Sequence, residues 1–268
     1  GNQWHLNQPS GALFDLGDLQ TIWDEYSGAG VDVAVIDDGV QRTHEDLDDN
    51  YSTIKDWDFF DNDSDPSGVN GNNHGTAVAG IIGANLNNIG VVGVAHGSTI
   101  FGFRVQTSGS LPSLYDLFLD QINDAIENAS AVNGRGGLGT IMVKSAGNGR
   151  SSNHDAQASA WNANEHTISV AAVDQSGFVS SYSTHGNNIL ISGFGTPGQV
   201  WTTDRMGTEG YTSGGATPNY TGGFNGTSAA APMVSGVIAL MLEANSSLGW
   251  RDVQEILAYS ARHVGTAI

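Results

Sequence analysis

The sequence predicts an α/β fold: a doubly wound, mostly parallel central sheet with helices on both faces. Three observations carry this. Short, largely apolar runs rich in Val, Ile and Ala recur at 31–36, 99–105, 140–146 and 167–173, as strands buried on both faces should. Stretches of helical spacing or of small residues alternate with them at 74–84 and 114–128, and two more follow at 233–242 and 250–263. Gly accounts for 37 of 268 residues and hydrophobic content is 39%, which suits a loop-rich α/β chain and not a disordered one. No Pro-rich linker or charge run divides the sequence, so one domain over 1–268 is expected.

Lys and Arg number 9 against 28 Asp and Glu, a formal charge of −19. That argues against nucleic acid or anionic membrane as partner and leaves basic peptides and cations, with solubility as the plainer consequence. Cysteine is absent, so neither disulfides nor thiol chemistry is expected. No apolar run of 18 residues is read, and the start Gly1-Asn2-Gln3-Trp4-His5 has no charged-then-apolar leader. The expectation is a mature chain from which any export signal has been removed.

Residues 1–30 carry scattered apolar anchors and read as wrapping or short helical segments. The run 31–36 ends in Asp37-Asp38-Gly39, which delivers two carboxylates to the C-terminal edge of a strand, where open parallel sheets build their sites. An Asp there also serves as a plain turn residue. His74 opens the small-residue run 74–84, predicted as a closely packed buried helix. Asn85 to Val91 is a polar loop with free carbonyls; it reads as an Asn-rich turn, or with an aspartate from elsewhere as an oxygen cage for Ca²⁺. The Gly-rich loop 133–139 precedes a strand and matches no phosphate-binding pattern. Asn148 lies in Gly147-Asn148-Gly149, after the strand 140–146; it is a turn residue or an amide donor. Short strands are predicted at 189–191 and 199–202, and 208–223 reads as an exposed polar loop.

Gly226-Thr227-Ser228 then precedes the apolar run 233–242. That places Ser228 at a helix N-terminus, as a cap or as a nucleophile whose developing charge the helix end favours. Pro232 is expected in the first turn, where N–H groups are unused.

An Asp at a strand end, a His opening a helix, an Asn in a Gly-Asn-Gly turn and a Ser opening a helix form an ordered set. Val35-Ile36-Asp37-Asp38-Gly39, His74-Gly75-Thr76 and Gly226-Thr227-Ser228-Ala229-Ala230-Ala231-Pro232 resemble the subtilisin-like serine proteases, whose triad runs Asp, His, Ser. The paired aspartates, Gln3-Trp4-His5-Leu6, Gly134 to Gly139, Leu242 to Asn245 and Trp250 to Gln254 are similar to the kexin and furin-like branch. The resemblance implies a secreted, extracytoplasmic serine endopeptidase acting on proteins or peptides after basic residues, with a propeptide, chaperone or inhibitor as further partner. It implies Ser228 as nucleophile, His74 as base, Asp37 as orienter and Asn148 as oxyanion donor. It implies Asp38, Ala146, Gly147 and Asp155 at the substrate, and Ca²⁺ held by Asp46, Asn85, Asn87, Ile89 and Val91.

The sequence departs from that pattern in three places. The family's Ser-Trp-Gly strand is missing, since no Trp occurs between Trp57 and Trp161, and residues are expected to be lacking near Asp124 to Asn128. Ala160 stands where basic-specific members carry an acid, and Thr184 where the family has a Glu of the pocket's second calcium site. The chain is expected to lack the β-sandwich domain that follows the protease in the kexin branch and to stop short of the usual last helix. Two other function classes follow from the residues: an inactive relative that binds a peptide or partner, and a glycosidase using Asp37 and Asp38, which adjacency disfavours.

Overall fold

Val33, Val35 and their neighbours form strand β1 (Asp32–Asp37), the first parallel strand of the molecule. The computed structural model describes residues 3–6, 19–69, 71–105, 124–196, 200–212 and 217–263. Two compact units divide the chain: 1–109, 198–224 and 235–244 form the first, and 110–197, 225–234 and 245–268 the second.

In the first unit β1 pairs in parallel with β3 (Thr99–Arg104), which pairs in parallel with the two-residue β2 (Trp57–Asp58). Helix α1 (Leu19–Trp23) precedes the sheet, and helix α2 (His74–Gly83) follows β2. Almost all of α2 is buried, so its small residues are a packing requirement. They let the hydroxyls of Thr202 and Thr203 on β7 (Val200–Thr203) reach the carbonyls of Ala77 and Thr76, at 2.6 and 2.7 Å. Strand β7 pairs antiparallel with β8 (Tyr220–Phe224). Val35, Leu47, Ala79, Ile82, Ile100 and Tyr220 share one buried cluster.

The first residues are tied into this unit. The Gln3 amide donates to the Val92 carbonyl at 2.8 Å and accepts the Val92 N–H at 3.0 Å, imitating a strand pair. Glu243, near the end of helix α4 (Thr227–Ala244), accepts the N–H groups of Ser27 and Gly28 at 2.7 and 2.6 Å.

In the second unit β4 (Met142–Ser145), β5 (Thr167–Val173) and β6 (Ile189–Phe194) form a parallel sheet in that order. Every residue of β5 is buried, which is why its sequence runs apolar without alternation. The Gly-rich loop is a clamp: Arg135 donates to the carbonyls of Leu248 and Ser246, both at 2.9 Å, and Leu138 accepts the N–H of Trp250. A single-turn helix α3 (Ala160–Ala163) precedes β5, and α5 (Trp250–Ser260) follows α4.

The expected parallel strands and helices are present, and among the described residues the strands form two three-stranded parallel sheets. β1 and β4 each lie at the edge of their own sheet; Ile36, apolar as an inner strand requires, is 53% exposed. Other expectations are corrected. Of the helix read at 114–128, residues 124–127 are helical and a π-helical turn follows at Asn128–Asn133, while 114–123 lies outside the described residues. The polar loop read at 208–223 ends in β8, whose Thr and Gly residues hide the strand pattern. Pro232 lies inside α4, past its first turn, where it removes the N–H that would bond the Ser228 carbonyl. The 18 residues of α4, with mean hydropathy 1.4, are long and apolar enough to cross a membrane, contrary to the sequence reading; 67% of them are buried, as in a core helix.

His5 is fully buried, and neither ring nitrogen has a partner among the described residues. Burial lowers its pKa from 6.5 to about 4. The folded value lies below the unfolded one, so the neutral ring costs no proton penalty above pH 6.5, and stability is lost as pH falls from 6.5 towards 4. The loss is on the order of 3 kcal/mol. His5→Leu removes this component: urea midpoints at pH 7.5 and pH 4.5 converge in the variant relative to the wild type. Equal acid sensitivity in both proteins contradicts the assignment.

Candidate active site

Asp37 is the last residue of β1 and His74 the first of α2, so the candidate site begins where a strand end meets a helix start. His74 Nδ1 lies 2.8 and 2.9 Å from the two carboxylate oxygens of Asp37. A carboxylate accepts, so Nδ1 carries the proton and Nε2 keeps its lone pair. The His74 side chain is 36% exposed, within reach of solvent.

Asp38 fixes that arrangement. The N-cap position, Asn73, makes no side-chain cap. Asp38 caps the helix instead: its two carboxylate oxygens accept the N–H groups of His74 at 3.1 Å and Gly75 at 2.8 Å. Burial, then the charge of Asp37, raises the Asp38 pKa, while the bonds to Gly75 and His74 oppose the rise. Gly75 is required here, because a Cβ would collide with the Gly39 carbonyl and sit 2.9 Å from the Asp37 side chain. Phe224 stacks obliquely on the His74 ring at 5.4 Å, with Tyr211 against Phe224 at 6.3 Å. Tyr211 is held by Asp204, a buried carboxylate that accepts the N–H groups of Arg205, Tyr211 and Thr212.

The second unit holds another constellation. Gly147 has φ +98°, a conformation that glycine adopts without strain. Its N–H donates to the Thr227 hydroxyl at 3.2 Å. Asn148 Oδ1 accepts both the N–H and the hydroxyl of Thr227, each at 3.0 Å. With its oxygen occupied, the Asn148 amide has only N–H groups left to offer. Ser228 follows Thr227 in the first turn of α4, partly exposed between the buried Thr227 and Ala229. Gly226, just before, is anchored through its N–H to the Tyr182 hydroxyl at 3.1 Å and the Gly195 carbonyl at 3.0 Å.

The other predicted site residues fall as follows. Ala146 is buried after β4, its N–H on the Val170 carbonyl at 2.9 Å. Asp155 is exposed and caps a 3₁₀ turn by accepting the Gln157 N–H at 2.9 Å. Asp46 is fully buried; one oxygen accepts the Val91 N–H at 2.9 Å, and the other is a buried atom with no partner among the described residues. Burial pushes its carboxyl up to about 6. The loop from Asn85 to Val91 closes on it: Asn85 N–H bonds the Asp46 carbonyl at 2.9 Å, and Asn87 Oδ1 accepts the Ile89 N–H at 3.0 Å. No group of three or more His, Cys, Asp or Glu side chains able to hold a metal occurs among the described residues. A hard cation taking mostly carbonyl and amide oxygens does not need one, and the orphaned Asp46 oxygen fits such a group.

Sequence reading missed Thr227 and Tyr182 as supports of the turn and of the serine, and Asp38 as a cap. Only Thr227, inside the Gly-Thr-Ser triplet, had a local signal.

The Asp37–His74 pair thus stands in the first unit, and the turn at Asn148 with Thr227 and Ser228 in the second. The chain belongs to the subtilase family, whose pattern matches residues 28–267. It is 34% identical to human proprotein convertase subtilisin/kexin type 7 over 97% of this chain and 37% of that protein. It is 31% identical to the dibasic-processing endoprotease of Schizosaccharomyces pombe over 97% and 39%. The chain therefore spans less than two-fifths of these relatives. Among solved structures, the serine protease of Aeromonas sobria in complex with its chaperone superposes with TM-score 0.79 at 27% identity, covering 88% of this chain and 51% of that one.

Proposed function

We propose that the protein is a serine endopeptidase. The observation that carries the reading is the Asp37–His74 pair, 2.8 Å at Nδ1, in a chain of the subtilase family. Ser228 attacks the scissile carbonyl as His74 Nε2 takes its proton; the same nitrogen returns the proton to the leaving amine. Asp37 keeps the tautomer and stabilises the imidazolium, and the Asn148 amide with the Ser228 N–H binds the oxyanion. The substrates are proteins or peptides. Cleavage after basic residues is supported by the charge of −19 and by the dibasic-processing relative. Asp38, Ala146, Gly147 and Asp155 are assigned to the substrate side, Asp38 with its capping role as well. We assign the protein a secretory or extracytoplasmic location and a propeptide or chaperone as partner, the latter in line with the chaperone complex of the Aeromonas sobria protease. We also assign 1–268 to one peptidase domain.

Ca²⁺ is assigned to the Asp46 carboxylate, the Asn87 amide oxygen and the carbonyls of Asn85, Ile89 and Val91. Bound there, a divalent cation supplies the charge that the buried carboxylate lacks and fixes the loop.

Two experiments test this reading. A peptidyl organophosphonate labels Ser228 in the wild type and nothing in Ser228→Ala; Asn148→Ala remains folded and labelled but loses about 10²–10³ in kcat, the cost of one oxyanion donor. A wild type that stays unlabelled and cleaves no peptide is instead a binding relative. Separately, chelation with EDTA lowers the Tm of the wild type and leaves that of Asp46→Asn unchanged. A wild-type Tm indifferent to chelator and to added Ca²⁺ removes the cation site.

A further inference from the structure

We propose that Thr184 is a positioning residue for the oxyanion turn, holding Gly147-Asn148-Gly149 so that the Asn148 amide N–H is presented to the reacting carbonyl. The inference rests on the peptidase reading above and names a support for that same site.

Two glycines flank Asn148, so the turn has little stiffness of its own. Its geometry must come from partners outside it. Thr227 supplies one side, through the bonds to Gly147 N–H and Asn148 Oδ1 already described, and it fixes the amide relative to the nucleophile's helix. Thr184 supplies the other. Its N–H donates to the Gly147 carbonyl at 2.9 Å, and its hydroxyl accepts the Gly149 N–H at 2.9 Å. One residue thus grips the turn before and after Asn148. The next peptide is held alongside, by Arg150 N–H on the Tyr182 carbonyl at 3.1 Å.

Thr184 can hold the turn because it is itself held. Its neighbour Ser183 accepts the N–H of Ala172 on β5 at 3.0 Å, and Ser183 N–H returns to the Ser180 carbonyl at 2.9 Å. The grip is therefore referred to the fully buried strand of the second sheet. Thr184 is 3% exposed, so water has no ready access to replace a lost hydroxyl. Only the hydroxyl is chemically special: valine has the same shape but leaves the Gly149 N–H without an acceptor, and the turn must shift to satisfy it.

A displaced Asn148 weakens a bond that exists only once the carbonyl oxygen carries charge. The loss therefore appears in kcat and leaves KM unchanged. Thr184→Val is expected to lower kcat about tenfold, less than outright loss of the amide, because misplacement costs part of what deletion does. A peptide boronate, which forms the charged adduct, weakens in parallel with kcat. Thr184→Ser, which restores the hydroxyl, recovers both. If the valine protein does not fold, Thr184→Ala, free of any overpacking, must show the same split.

Unlabelled Ser228 in the wild type ends the peptidase reading itself. With Ser228 labelled, an unchanged kcat in Thr184→Val overturns the inference. So does a fall in kcat that serine does not restore, or one that follows the loss of folded protein with boronate affinity unmoved.

Discussion

The grip of two adjacent carboxylates on the start of one helix is the constraint from which the rest of the first unit follows. Asp37 binds the imidazole of His74, and Asp38 binds the backbone from which that imidazole grows. A helix N-terminus has unpaired N–H groups and the positive end of the dipole, so a carboxylate placed there is both a cap and a charge balance. The pair works because its members divide the labour. If both faced the ring, the backbone of α2 would be uncapped; if both capped, the ring would be free to turn. Gly75 permits the close approach, and the threonines of β7 hold the carbonyls of Thr76 and Ala77 in the same turn of α2.

The second unit solves a related problem without charge. There the side chain to be aimed is an amide, and aiming it means occupying its oxygen so that only nitrogen remains. Thr227 does this with two donors from one residue. Neutral hydrogen bonds suffice because the turn is short and the threonine that holds the amide, Thr227, is buried. In both units a side chain of the candidate site is fixed by a residue next to another of its members: Asp38 beside Asp37, Thr227 beside Ser228. Adjacent residues inherit the precision of a strand end or a helix start.

Much of the candidate site was legible in the sequence because the residues proposed as catalytic lie at element ends, and element ends carry local signals. Asp37 closes an apolar run, His74 opens a small-residue run and Ser228 precedes an apolar one. The supports were not legible for the opposite reason. Thr184 acts on a turn far from it in sequence, and the resemblance marked it only as standing where relatives carry an acid, which says nothing of that contact. Strand β8 was hidden because Thr221, Gly222 and Gly223 lack the alternation that marks a half-buried strand. Among the described residues the parallel strands fall into two sheets, and such pairings between distant segments are not specified by apolar runs alone. Asp46 was placed by resemblance; its unpartnered oxygen, the observation behind the proposed cation, appears only once the fold buries it.

The hydrogen bond between Asp37 and the Nδ1 proton of His74 is the centre of this description, and proton NMR at neutral pH observes it directly. A strongly downfield Nδ1 resonance in the wild type, absent in Asp37→Ala, is the expected result. A wild-type imidazole carrying its proton on Nε2, with a spectrum unchanged by that substitution, would contradict it.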